Sequence, residues 1–231
     1  MKKITAALAA AALLFTVPGC TEEAPAPEAE AESKKLPAEY SEGYASIHME
    51  LPEGWVTEPV WIAESGETGY ERGGLEFWPE DRPDIRMGLY YYTAPYGICG
   101  TGVTHEKLTF ASGCEANLYW EDLGESTYVY VFFRDTPGEY LFEAHYIPTE
   151  FWQEERETIL SILDSAVVGE GALSESEAFA VAEAECTKTY PLSSRRSRFD
   201  HLTGQWTFEF HGTPGVVLQS VTVAPDGTVV P

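Results

Sequence analysis

Cations are scarce in this 231-residue chain: Lys and Arg number 14, against 38 Asp and Glu. The first 19 residues carry two lysines and no acid, so the remainder holds 12 basic and 38 acidic side chains, a net charge of −26. That balance excludes nucleic acid as a partner, because phosphate recognition needs a basic face. It also disfavours lying flat on anionic lipid. It describes a soluble, self-repelling surface. Catalytic signatures are missing too: the chain has no H-E-x-x-H, G-x-S-x-G or S-x-x-K, and no C-x2-C pair. Neither a hydrolase constellation nor a zinc site is predicted, and no cofactor is implied. An EF-hand loop is lacking; "WPEDRPD", Trp78 to Asp84, clusters three acids but reads first as a hairpin tip. After the first 20 residues no apolar run is long enough for a membrane span.

What is present begins at the N-terminus. Lys2 and Lys3 precede an apolar run of 14 residues, "ITAALAAAALLFTV", of the length of a signal-peptide core. "VPGC", Val17 to Cys20, follows directly and resembles the bacterial lipobox. The resemblance implies a signal peptide over 1–19, cleavage before Cys20 and a diacylglycerol on its sulfur. The protein would then be held by lipid on the extracytoplasmic face of a membrane; the alternative is an ordinary signal peptide with an incidental cysteine. Residues 20–39 are rich in Glu, Ala and Pro and contain no aromatic residue. Such a segment cannot bury enough apolar surface to offset its ordering entropy, and is expected to be a disordered acidic stalk.

Residues 40–168 are dense in aromatics and alternate with period two. "SIHMEL" sets Ile47, Met49 and Leu51 on one face; "IRMGLYYYT" does the same with Ile85, Met87, Leu89 and Tyr91. With "VWIAE", "GLEFW", "KLTF", "CEANLYW", "TYVYVFF" and "YLFEAHYI", the pattern predicts an antiparallel meander of seven or eight strands. The period then changes. "TEFWQEERETILSILDSAVV" places Trp152, Ile159, Leu163 and Ala166 on one helical stripe, with Thr149 as candidate cap. The fold class is therefore α+β, a sheet packed by a helix. The opening Ile47 with "LPEGW" (Leu51 to Trp55) and the closing Ile159 to Val167 resemble the PsbP/DcrB-like domains of bacterial envelope lipoproteins. That resemblance implies a binding or accessory module rather than a reaction.

"GEGA", Gly169 to Ala172, marks a boundary before a second, smaller unit over 172–231. Ser174 and Glu177 form a capping box. Phe179, Ala182, Cys186 and Tyr190 share a stripe, so Cys186 is expected in a helix core. "GQWTFEF" turns Trp206, Phe208 and Phe210 inward, and "VVLQSVTV" and "GTVV" form a hairpin. The helix "EAFAVAEAE" with "DHLTGQWTFEF" and "VTVAPDGTVV" resembles a PepSY-type half-module. It implies an inhibitor or regulator of an envelope protease as one alternative.

Candidate sites are few. "YGICGTG", Tyr96 to Gly102, lacks the lysine of a phosphate loop. Cys99 and His105 would make a thiol dyad only at a nonspecific spacing. Cys99 and Cys114 are the two cysteines left for a disulfide in an oxidising compartment. Tyr90 and Tyr92 alternate against Leu89 and Tyr91, and Tyr128 and Tyr130 against Val129 and Val131. One such set must pack beneath the helix; the other is a candidate aromatic platform for sugar rings or peptides, unless loops cover both faces. No metal ligand set is predicted. The partners expected are the membrane, through Cys20, and an envelope protein or peptide.

Overall fold

The computed structural model describes residues 34–63, 71–99, 101–187, 194–213 and 216–231. Cys20 and the signal segment lie outside the described residues, and so does Tyr190. Residues from Ser33 to Pro231 form one compact unit. Among the described residues no helix is long and apolar enough to cross a membrane.

The unit is α+β. The strand β1 (Leu36–Glu42) pairs antiparallel with β2 (Ala45–Leu51). Next come β3 (Trp55–Ala63), β4 (Glu71–Pro79), β5 (Met87–Tyr92), β6 (Thr104–Thr109), β7 (Glu115–Asp122), β8 (Ser126–Phe133) and β9 (Glu139–Pro148). The helix α1 (Thr149–Asp164) follows, then a two-residue strand β10 (Val167–Val168) that pairs with β2. The C-terminal part is α2 (Glu175–Ala184), β11 (Ser194–Asp200), β12 (Gln205–Thr213), β13 (Val216–Val223) and β14 (Val229–Val230). Three sheets result: β1-β2-β10, a seven-stranded β3-β4-β5-β9-β8-β7-β6, and β11-β12-β13-β14.

The expected meander is broken once. β5 pairs with β9 rather than β6, through Leu89↔Phe142 and Tyr91↔Tyr140. The sheet is thus two meanders, β3-β4-β5 and β6-β7-β8-β9, zipped together along β5 and β9. The chain leaving β5 must reach the far edge of the sheet, past β9, β8 and β7. At about 4.8 Å per strand that is roughly 19 Å. The segment after Tyr92 makes this journey over one face of the sheet.

The other face carries the core. Leu75, Phe77, Leu89, Tyr91, Phe142, Val129, Val131 and Leu118 are buried against Ile47 and Leu51 of β2 and against Phe151, Trp152, Ile159 and Leu163 of α1. The stripe read from the sequence, Trp152, Ile159, Leu163 and Ala166, is buried throughout. Thr149 does not cap this helix. It is the first helical residue, and its hydroxyl lies 2.9 Å from that of Thr127. Residues 36–39 are strand, not stalk. Ala38 and Tyr40 alternate inward, and Pro37 is tolerated because β1 is an edge strand.

In the C-terminal part, α2 lays Ala178 and Ala182 on Trp206, Phe208, Phe210, Val221 and Val223. The capping box of Ser174 and Glu177 is formed. Cys186 lies just beyond the helix, half-buried against this second core. β11, "SRRSRFD", has no alternation visible in the sequence. Its positions on the core side are Phe199, Ser197 and Arg195, whose guanidinium sits 3.7 Å from the Phe179 ring centre. The two cores meet at Phe199, which packs on both. Tyr91 contacts Phe199 and His201, and the Tyr44 amide donates to the His201 carbonyl. Gly138, at φ +92°, leaves room for this joint: a Cβ there would lie 2.5 Å from Tyr91 and 3.0 Å from Phe199. The 172–231 segment therefore has its own core and is also docked on the first.

Candidate functional site

The face of the seven-stranded sheet opposite α1 is lined by polar and aromatic side chains. Period two and the ladder registers put Arg72 and Glu76 (β4), Tyr90 and Tyr92 (β5), Leu141 and Glu143 (β9), Tyr128, Tyr130 and Phe132 (β8), Tyr119 and Glu121 (β7) and His105 (β6) on it. The four tyrosines singled out from the sequence do share this face, opposite Leu89, Tyr91, Val129 and Val131.

Its two halves differ. Tyr90 and Tyr92, each 4% exposed, are buried with Leu141 beneath Val60, Tyr96, Tyr130 and Phe132. They are not a bare platform. Gly88 permits the arrangement: the Tyr90 ring lies so close over it that a Cβ would come within 2.3 Å. Under these rings is an ion pair. Arg72 bonds the carboxylate of Glu143, which is 5% exposed; Tyr92 donates to the same carboxylate at 2.9 Å, and Arg72 donates to the Tyr92 oxygen at 2.8 Å. Tyr90 donates to Glu76, and Arg86 pairs with both Glu76 and Glu58. Burial is the first cause holding the Tyr90 and Tyr92 hydroxyls well above the ordinary phenol range, so both remain neutral donors.

Tyr128 and Tyr130 are half-buried, with rings 9° from parallel and centres 6.4 Å apart. Tyr146 is 68% exposed and packs 4.4 Å from Tyr128, and His145 lies 5.5 Å from both Tyr128 and Tyr130. Tyr146 has φ 53°, a conformation that costs a bulky side chain energy. Tyr119 stacks on His105 at 4.7 Å and meets Phe132 edge-on. Hydrogen bonding with Tyr146 is the main cause pushing the Tyr128 hydroxyl up to about 12. Tyr146 and His145 carry no readable signal in the sequence, because both sit where β9 departs from strict alternation beside a register shift in β8.

"YGICGTG" belongs to the segment that crosses this face. Tyr96 lies on Tyr92 at 5.1 Å and reaches Tyr130 and Phe132. Gly97, Ile98, Cys99 and Val103 continue over Tyr128, Tyr130 and Glu121, bounding a half-open cavity of about 280 Å³. The expected Cys99–Cys114 bridge is not formed; both are unbridged thiols. Cys99 precedes the Thr104↔Trp120 end of the β6–β7 ladder, and Cys114 lies beyond its Thr109↔Glu115 end. Five residue steps at about 3.4 Å separate the two ends, well beyond the roughly 7 Å Cα separation a disulfide spans. Cys99 contacts Thr101 rather than His105, which is stacked on Tyr119, so the dyad is not assembled. Bonds from Thr101 lower the Cys99 thiol, whereas burial raises that of Cys114. The acidic turn at 78–84 is tied by Arg82, 3.8 Å from Asp84. Among the described residues no group of three His, Cys, Asp or Glu side chains is placed to hold a metal ion.

No protein-family model matches the chain, and no curated protein does. Among solved structures, the cyanobacterial PsbP (CyanoP) from Synechocystis sp. PCC 6803 is weakly similar. It shares 12% identity at a TM-score of 0.36, over 63% of this chain and 99% of that one.

Proposed function

We propose that this chain is a non-catalytic binding module of the cell envelope, lipid-anchored through Cys20, with the exposed half of the aromatic sheet face as its ligand surface. One observation carries the reading: Tyr128, Tyr130, Tyr146 and His145 form a contiguous, solvent-reachable cluster on a face that neither α1 nor α2 covers. Packing over Tyr90 and Tyr92 accounts for Tyr130 but not for Tyr128, Tyr146 and His145. Tyr146 in particular is both exposed and held at positive φ, which costs stability without filling the interior. The neighbouring face shows what structural aromatics look like here: Tyr90 and Tyr92 are buried and their hydroxyls are bonded. The protease-inhibitor alternative gains no contact in its favour, because α2 fills the inward face of the C-terminal sheet. A ligand-observed NMR screen of neutral sugars, amino acids and small amines against the full chain tests the reading. Hits should vanish in the Tyr128→Ala/Tyr130→Ala variant. Hits that survive that double substitution would move the site elsewhere.

A further inference from the structure

We propose that the cavity between the crossing segment and the sheet is a cage for a methylated ammonium group. This rests on the reading of the aromatic face as a ligand surface, and names the ligand class that one end of it takes. The lining is specific. Tyr128 and Tyr130 present nearly parallel rings, Tyr96 comes from the crossing segment with its ring centre 6.4 Å from that of Tyr130, and Ile98 and Val103 add apolar walls. Glu121 is the one charged side chain of the lining.

Each candidate ligand class can be set against that lining. An anion is disfavoured, because no Lys, Arg or His among the described residues lines the cavity and the chain is strongly acidic. A sugar ring would stack on the tyrosines, but its hydroxyls need several convergent polar partners. Here the side chains offer only phenol oxygens, one thiol and one carboxylate. A methylated ammonium needs no such set. Its charge is diffuse, its methyl groups suit Ile98 and Val103, and the faces of several rings attract it. At about 280 Å³ the cavity is at or just below the lower end of the range for small-molecule sites, which suits a headgroup rather than an oligomer.

The charge pattern of the face agrees. Glu58 and Glu76 share Arg86, and Glu143 holds Arg72. Glu121 lies directly across the ladder from Tyr128, and its carboxylate approaches Gly102 of the crossing segment. None of the ion pairs among the described residues involves it. A carboxylate left without a cation beside three tyrosines, in a chain of net charge −24, is a site that draws a cation in. The Tyr128 hydroxyl, pushed up to about 12, stays neutral, so the cage charge is that of Glu121.

Isothermal titration calorimetry of the full chain provides the test, with choline, tetramethylammonium, trimethyllysine and phosphocholine as probes. The control is 3,3-dimethylbutan-1-ol, which has the shape of choline without its charge. Choline and tetramethylammonium should bind at least about 10-fold more tightly than the neutral isostere. Glu121→Gln, which keeps the side-chain shape, should weaken choline binding by about the same factor while leaving the thermal transition unchanged. Tighter binding of trimethyllysine than of choline would point to a modified peptide as the source of the group. Tighter binding of phosphocholine would point to a lipid headgroup. Equal binding of choline and the isostere, or no difference between wild type and Glu121→Gln, overturns the cage. If the ammonium probes fail while other NMR hits are still lost in Tyr128→Ala/Tyr130→Ala, the cation assignment falls and the aromatic-face reading stands. If nothing binds the face at all, both fall.

Discussion

The two faces of the seven-stranded sheet are built from the same strands and the same residue alternation, yet they do opposite things. On the face toward α1, Leu75, Leu89, Phe142, Val129 and Val131 meet β2 and the helix and are fully enclosed. On the other, tyrosines, a histidine and paired charges are covered only in part, by a crossing segment rather than by an element of secondary structure. Hydrophobic burial stabilises the first face in proportion to area. The second gains less from its exposed half and retains polar groups that a purely structural surface would not need. A residue's contribution to stability should therefore depend on which way it points, and that contrast can be broken or sharpened by substitution.

The largest effect is expected at Phe142→Ala, in the middle of the enclosed face. Denaturant unfolding should show a loss of about 4 kcal/mol, because a large cavity opens where α1 and β2 converge. Arg72→Met comes next. It leaves the Glu143 carboxylate with only the Tyr92 hydroxyl and the His145 ring, 3.5 Å away, and breaking a pair this enclosed costs about 3 kcal/mol. A loss under about 1 kcal/mol in the same assay would mean that Glu143 finds water or another partner. At the exposed end, Tyr146→Gly should leave stability within about 0.5 kcal/mol of wild type or raise it, since glycine adopts φ 53° without penalty. It should nevertheless remove NMR-detected ligand hits. A large destabilisation there would make Tyr146 a packing residue and erase the contrast between faces.

The smallest effect concerns pH. Burial, then the nearby Glu175, raises the Glu139 carboxyl where the sheet meets the C-terminal part. A raised folded-state value means that the folded chain holds its proton more tightly than the unfolded chain. The associated stability is complete below the ordinary carboxylate range and is lost as pH rises through that range toward the raised value. Glu139→Gln should therefore melt with wild type at pH 4 and at a slightly higher temperature at pH 7.5. Glu139 keeps solvent contact, so a difference of only a few degrees is expected. A variant that melts lower than wild type at pH 7.5 would reverse the sign and refute the account.

Period two was enough to place Tyr90, Tyr92, Tyr128 and Tyr130 on one face and to give α1 its buried stripe, because both are local geometric consequences of strand and helix. It could not show that β9 inserts beside β5. That pairing joins Leu89 to Phe142, and nothing in either segment names the other. The same holds for Arg72 and Glu143, 71 residues apart, whose partnership depends on that insertion. β1 was hidden by the Glu, Ala and Pro composition it shares with the segment before it, and β11 by arginines at an inward position. The Cys99–Cys114 expectation failed for a related reason. The pairing rested on elimination, these being the two cysteines left, whereas the β6–β7 hairpin holds them at opposite ends of its ladder.

The broken meander also sets an order of assembly. β3-β4-β5 and β6-β7-β8-β9 can each form from neighbouring hairpins, which are quick to close, whereas joining β5 to β9 pairs residues about 50 positions apart in the chain and is slow. Tyr96 rests at once on Tyr92 of the first meander and on Tyr130 and Phe132 of the second, so it has no seat until they are joined. The roof over the aromatic face therefore settles only after β5 and β9 are joined. A nascent or misfolded chain would hold every tyrosine of the site and still lack the enclosure, so ligand capture would report on a completed fold.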